Sequence, residues 1–254
     1  VIRRLALLLA LAPFLSAQTA PTLVPDISAR RIDIQYSFTG AQLLLFGAIV
    51  YPRGRVPEAP ADIVVVLKGP SQPIMVREKQ RLAGIWTNAD SNRFRSAPGF
   101  YAVASSRPIS TLVDSRTAAI YELGLQNLQL SPGGGAQPDK ERRFEAGLLD
   151  LRRRQGLYVE DGSGVEISAN VLYRARIFIP SQVPVGTYTA ETFLIERGKV
   201  IAAATKEIQV GKSGFERVVA QAARRHAFAY GLAAVALSLF LGWAAAAAFR
   251  RRGA

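Results

Sequence analysis

Apolar and polar positions alternate in short steps along the first hundred residues, a pattern that predicts strands rather than helices. Ile32, Ile34, Tyr36 and Phe38 stand at every second position, Thr39-Gly40 makes a turn, and residues 43–51 follow as an apolar run ending at Pro52. Residues 62–67 form another run, stopped by Gly69-Pro70; residues 74–76, a short Ile85-Trp86-Thr87 and residues 100–105 come next. The second half has the same character. Residues 165–168, 171–179, 187–195 and 200–210 are rich in β-branched and aromatic side chains, and Glu196-Arg197-Gly198-Lys199 makes a hairpin turn between the last two. Short strands parted by Gly, Pro, Asn and Asp predict a mainly β body, an antiparallel sandwich of immunoglobulin-like type.

The middle of the chain changes period. Residues 112–128 and 139–154 carry helical spacing, with Phe144, Leu148 and Leu151 at i, i+4 and i+7. The run Ser-Pro-Gly-Gly-Gly-Ala-Gln-Pro at 131–138 parts them, so a helical hairpin inserted between two β regions is expected. The charges of its second arm (Lys140, Glu141, Arg142, Arg143, Glu145 and the arginines 152–154) read as a solvated face.

The last apolar stretch is of another kind. From Ala227 to Phe249 no side chain is charged, and Arg250, Arg251 and Arg252 close the run. At about 1.5 Å per residue it reaches roughly 35 Å, enough to cross a hydrocarbon core of about 30 Å. Near the other end, Arg3 and Arg4 precede eleven apolar residues, 5–15, and the small pair Ser16-Ala17, the layout of a secretory signal. Leu15 stands where a small residue is preferred, so an uncleaved anchor is the alternative. Arginines flank the closing span on both sides, which leaves the positive-inside rule neutral; the signal decides the orientation. The expected organisation is a signal peptide at 1–17, a first β-rich region at 18–111 and the helical insertion at 112–156. A second β-rich region at 157–212, a juxtamembrane segment at 213–226, a transmembrane helix at 227–249 and a cytoplasmic stub at 250–254 complete it. The expectation is a single-pass membrane protein with its body outside the cytoplasm and the lipid bilayer as its first partner.

Composition narrows the chemistry. There is no cysteine, so disulfides and thiolate metal sites are excluded. The formal charge is +13; with Arg3, Arg4 and the arginines 250–252 set aside, 27 basic residues face 19 acidic ones and leave +8. A basic exported body suits acidic headgroups, wall polymers or an anionic solute, and nucleic acid is not expected as a partner. The one histidine, His226, lies at the membrane boundary, which argues against a Ser-His-Asp triad or a histidine metal site. Gly211-Lys212-Ser213 resembles the end of a phosphate loop, but Lys206 stands where the motif needs glycine. Glu160-Asp161 beside Gly162 reads as a turn. No catalytic constellation and no cofactor is expected.

Two surfaces are nominated for recognition. Between residues 77 and 107 the arginines Arg77, Arg93, Arg95 and Arg107 interleave with Trp86, Phe94, Phe100 and Tyr101; Arg77, Trp86, Arg93, Arg95 and Arg107 are the candidates. The competing reading places the rings in the core and the arginines in water. In the span, Ala234, Ser238 and Gly242 stand four apart on one helix face and would let another helix approach closely.

Several segments carry a family resemblance. Asp26-Ile-Ser, Ile34-Gln-Tyr-Ser-Phe-Thr-Gly40, Ala61-Asp-Ile-Val-Val-Val-Leu-Lys-Gly-Pro70, Phe94-Arg-Ser-Ala-Pro-Gly-Phe-Tyr-Ala-Val103, Pro184-Val-Gly-Thr-Tyr188 and Tyr230-Gly-Leu-Ala-Ala234 with Gly242-Trp243 are among them. Together they resemble an uncharacterised transmembrane-protein family of alphaproteobacteria: a signal, an exported body and one C-terminal span. The resemblance implies no catalytic residues, and it implies a transporter-associated role beside a sulfite-exporter-type permease. The functional expectation is a non-enzymatic accessory or scaffold subunit of a membrane complex. The alternative is a membrane-anchored binding module for an anionic solute, lipid or wall polymer.

Overall fold

The computed structural model describes residues 20–34, 40–134, 137–212, 219 and 223–250. The signal-like segment 1–17, Tyr36, Phe38, most of the juxtamembrane segment and Arg251 to Ala254 lie outside the described residues. Strands β1 (Thr22–Ile27), β3 (Ala41–Val50), β11 (Leu172–Ile179) and β10 (Val165–Ser168) form an antiparallel sheet in the order β1-β3-β11-β10. A six-stranded sheet has the order β2 (Arg31–Ile34), β13 (Lys199–Lys212), β12 (Gly186–Glu196), β4 (Asp62–Lys68), β7 (Tyr101–Ser105), β9 (Tyr158–Asp161). A third sheet joins β5 (Ser71–Leu82), β6 (Ile85–Pro98) and β8 (Ser131–Pro132).

Period-two patterning builds the first sheet. Along β11, Tyr173, Ala175, Ile177 and Ile179 are buried while Leu172, Arg174, Arg176 and Phe178 face out. The runs 63–67 and 101–105 are buried at every position, because β4 and β7 lie inside the body with both faces covered. One hydrophobic cluster joins Leu43, Leu45 and Ile177 of the four-stranded sheet to Val64, Val66 and Leu194 of the six-stranded one. Strands from both halves of the chain enter each of these sheets, so the two β regions share a core. Three fully buried tyrosines are satisfied by backbone carbonyls: Tyr101 donates to Glu122 O (2.6 Å), Tyr158 to Pro98 O (2.7 Å) and Tyr188 to Pro184 O (2.7 Å). Burial pushes all three phenols up, Tyr158 to about 12.

The sheets are not purely antiparallel as the strand pattern predicts. β2 pairs with β13, and β9 with β7, in parallel. A parallel pair needs a long crossover, and the segment between β7 and β9 is that connection. The insertion therefore belongs to the sheet topology.

Nor is the insertion a two-armed helical hairpin. Its second arm is one helix, α3 (Pro138–Arg154), but its first breaks into α1 (Ile109–Leu112), α2 (Ser115–Ile120) and a 3-10 turn at Leu125–Asn127. Asp114 starts α2 by accepting the Thr117 N–H at 2.8 Å, and left-handed Glu122 (φ 51°) and Gly124 (φ 90°) stop any continuation. Helical spacing was present, yet capping and left-handed residues cut it into single turns. On α3, Phe144 and Leu148 are buried, whereas Leu151 is 47% exposed and Leu149 takes the inward position.

Among the described residues, the helix α4 (Ala227–Arg250) is the one long and apolar enough to cross a membrane, and none of them buries its span from Ala227 to Ala244. The described residues thus form a mixed, β-rich and helical fold with one candidate membrane span.

Candidate functional site

The β5–β6 hairpin is the feature that distinguishes this body, and it grows directly from the core. The β4–β7 ladder does not stop at Lys68↔Tyr101; Gly69 N–H donates to Phe100 O at 2.8 Å and Gly99 N–H to Pro70 O at 2.9 Å. The next pair is Ser71↔Pro98, so β5 and β6 carry the same ladder outward as a two-stranded arm. Gly99 permits this root: a Cβ there would lie 2.3 Å from the Pro184 side chain. At the far end, Ala83 (φ 49°) and Gly84 (φ 86°) form a two-residue turn with both central φ positive, the geometry that matches the twist of paired strands.

One face of the arm is held by α3. Phe94 and Ala97 pack on Phe144 and Leu148 in a small cluster of their own, flanked by Ile74, Val76 and Leu130. Charges reinforce the contact: Lys140 pairs with Asp90 at 2.5 Å, and Arg143 reaches Glu78 at 3.1 Å and Asp90 at 3.2 Å. Both cations also sit over the Phe144 ring, 5.7 and 5.5 Å from its centroid. The hydrogen bond from Lys140 holds the Asp90 carboxyl below its ordinary value, aided by the Ser91 N–H and by the charges of Lys140 and Arg143. The charged face of α3 is therefore not simply solvated, since two of its cations clamp the arm.

The opposite face is open. Register places Met75 across from Arg93 and Arg77 across from Ser91, so Arg77, Arg93 and the exposed Met75 share it. Arg77 approaches the Met75 sulfur (3.8 Å), and Arg95 donates through Nε to Pro132 O at 3.2 Å. Arg93, Arg95, Ser91, Asn92, Met75, Gly133 and Gly134 line a shallow groove of about 450 Å³. The groove offers mainly donors, from Arg93, Arg95 and Ser91; Asn92, paired with Val76, turns its side chain to the α3 face instead.

The five sequence candidates therefore separate into three places. Arg77, Arg93 and Arg95 come together on the open face. Trp86 stands at the arm's tip, 66% exposed. Arg107 belongs elsewhere, in a bidentate pair with Asp62 (3.0 and 2.5 Å) that also receives the Ser106 hydroxyl, at the far end of the β4–β7 ladder. It is a structural clamp, separated from the others because β7 carries the chain the length of the sheet. Of the interleaved rings, Phe94, Phe100 and Tyr101 are buried, and Trp86 alone faces out. In α4, Ser238 Oγ donates to Ala234 O at 2.9 Å, and a Cβ at Gly242 meets open space. Among the described residues, nothing occupies the Gly242 position of that face.

Two features had no signal in the sequence. Lys68 bridges Glu122 (2.9 Å) and Glu191 (3.2 Å), residues far apart in the chain that only the sheet brings together. Burial would lower this ammonium, but bonds and charges from the two glutamates outweigh it and hold it above the ordinary value. A cavity of about 520 Å³ lies under α1 and α2, bounded by Pro108, Asp114, Gly124, Asn127 and Glu160. Glu160 is tied there to the Leu125 N–H at 2.9 Å, and Asp161 accepts from Ser163 at the following turn, so this acidic pair is structural.

The family model described as "Putative transmembrane protein (Alph_Pro_TM)" matches residues 22–251, from the first strand through the membrane helix. The chain belongs to the Alph_Pro_TM family. A comparison with curated proteins finds no match. Among solved structures, the crystal structure of Spo0M, a sporulation control protein from Bacillus subtilis, is similar at 9% identity and a TM-score of 0.33. That match covers 81% of this chain and 55% of that one. The Alph_Pro_TM chain spans about half the length of that protein, and a likeness at this level carries no argument about fold or role. Family and structure agree on a membrane protein with one membrane-type helix and a β-rich extramembrane body.

Proposed function

We propose that this Alph_Pro_TM protein is a non-enzymatic accessory or scaffold subunit, single-pass in the inner membrane, with its body in the periplasm and its C-terminus in the cytoplasm. Its partner in this reading is a polytopic transporter, of the sulfite-exporter permease type that the sequence resemblance implies. The two larger sheets are then the layers of an immunoglobulin-like sandwich with parallel strands added at its edges. The observation that carries the proposal is the open face of the arm. Arg77, Arg93 and Arg95 project beside Met75 from a rigid two-stranded support, and arginine and methionine are enriched where proteins meet.

The test is affinity purification in mild detergent at native expression, comparing wild type with Arg93→Ser/Arg95→Ser and with Gly242→Leu. Both variants should lose a stoichiometric polytopic partner while keeping wild-type melting, since surface changes usually move stability by less than about 0.5 kcal/mol. An unchanged partner set would overturn the proposal. Sidedness is tested separately: a reporter active only outside the cytoplasm should work after Gly211 and fail after Ala254.

The groove favours a second reading, an anchored binding module for an oxyanion. Its donors Arg93, Arg95 and Ser91 suit such a ligand. Calorimetry with inorganic sulfate, lost in the same double variant, would favour it.

A further inference from the structure

The tip of the arm lies beyond the groove, sharing only Arg77 with the open face, and its chemistry differs. Leu82, Ile85 and Trp86 are 57, 69 and 66% exposed and adjoin the Ala83-Gly84 turn. Three large apolar side chains on the end of a long hairpin are costly to leave in water at about 25 cal/mol per Å². Behind them stand Arg77, Lys79 and Arg81, all exposed. The nearest acids, Glu78 and Asp90, are already engaged by Arg143 and Lys140 of α3. The tip therefore presents an apolar cap followed by a cationic collar, with tryptophan at the boundary. Tryptophan concentrates at membrane–water interfaces, and basic side chains behind an inserted apolar group meet the headgroups.

Topology directs this tip toward a bilayer. β4 and β13 both run antiparallel to β12, hence in one direction. Lys68 lies across β12 from β13, by way of Thr189, and Gly186, paired with Val210, would place a Cβ 3.1 Å from Pro70. The arm thus leaves the sheet at the end where β13 finishes and the chain goes on to α4. Its twelve-residue strand β5 extends about 40 Å at roughly 3.3 Å per residue. Residues 213–226, which link β13 to α4, reach at most about 50 Å when fully extended. That upper bound is not shorter than the arm, so the linker leaves room for the tip to meet the bilayer.

We infer that the Leu82–Trp86 tip is a second membrane contact, inserting Leu82, Ile85 and Trp86 into the headgroup region of the anionic bilayer that α4 crosses. The basic residues Arg77, Lys79 and Arg81 face lipid phosphates. Two attachments, one covalently continuous with α4 and one through the tip, hold the body at a set height and present the groove sideways, along the membrane plane.

The test uses the full chain in proteoliposomes, with Trp243→Phe so that Trp86 is the remaining tryptophan. Vesicles of phosphatidylcholine with and without phosphatidylglycerol are compared, with a lipid brominated near the headgroup as quencher. In the anionic vesicles Trp86 emission should shift to the blue, be quenched by the bromolipid and resist iodide. Arg77→Gln/Lys79→Gln/Arg81→Gln should weaken this by roughly fivefold per cation, with circular dichroism unchanged. Emission insensitive to both lipid composition and bromolipid would overturn the inference. So would iodide protection that rises with protein density without lipid quenching, which would assign the tip to a second copy. No partner protein is present in this experiment, so its failure leaves the accessory-subunit reading untouched, and loss of a partner in the purification leaves the tip's lipid contact untouched.

Discussion

Replacing Phe144 by alanine should undock the arm while leaving the β-rich body intact. Phe144 is 3% exposed and packs with Phe94, Ala97 and Leu148 in a cluster distinct from the main core. Truncating a buried phenylalanine costs about 3–5 kcal/mol, the sum of lost transfer energy and an incompletely collapsed cavity. The ring also seats Lys140 and Arg143, whose stems would lose that support. The remaining ion pairs to Asp90 and Glu78 are partly exposed, and such pairs are worth about 0–1 kcal/mol each. They cannot hold α3 by themselves. Hydrogen exchange on the full chain in detergent micelles should show amides of β5, β6 and α3 exchanging about a hundredfold faster or more, since each 1.4 kcal/mol is tenfold. Amides of β4 and β12 should keep wild-type protection, because their core does not include Phe144. Equal loss in both regions would show that arm and body unfold together. Unchanged protection in the arm would show that its ladder stands without α3. Either result refutes the reasoning.

Lowering the pH should loosen the same contact. Asp90 is depressed in the folded state, so its contribution is complete above the ordinary aspartate value of 3.8 and is lost as pH falls through the depressed one; exchange of β6 amides against pH in that acid range reports it. Gly99→Ala should cost about 1–3 kcal/mol by overpacking, because its Cβ would strike a proline ring, and should lower the melting temperature measured by circular dichroism. Lys68→Met should destabilise the body by on the order of 1–3 kcal/mol, since it leaves Glu122 and Glu191 half-buried without their cation. In the wild type the Lys68 contribution should hold at neutral pH and fade only as pH rises above 10.5 through the raised value, which a melting series across alkaline pH measures.

Some of this molecule is set by local chemistry and is legible residue by residue. Twenty-three uncharged residues before an arginine cluster determine a membrane-length helix whatever the rest of the chain does, because desolvation of charge acts on each residue separately. Period-two runs determine the strands, since one face of each must leave water; β11 follows its pattern at every position. The Glu196-to-Lys199 turn follows from turn chemistry alone, with Arg197 and Gly198 both at positive φ. What needed the tertiary structure is everything that depends on which strand lies beside which. The parallel pairs β2–β13 and β7–β9 are contacts between distant segments, and no local period encodes a neighbour's direction. Residues 112–128 have helical spacing but form separate turns, because Asp114 caps a new start at α2 and left-handed Glu122 and Gly124 end it. Arg107 sits in the same run of sequence as Arg93 and Arg95 yet reaches Asp62 instead, a whole strand away. The projecting arm is decided the same way. Residues 71–98 could pair within the body, and they stand clear of it because the β4–β7 ladder continues outward and α3 covers only one face. Sequence sets the faces of each element; only the assembled sheets decide which faces are left without a partner.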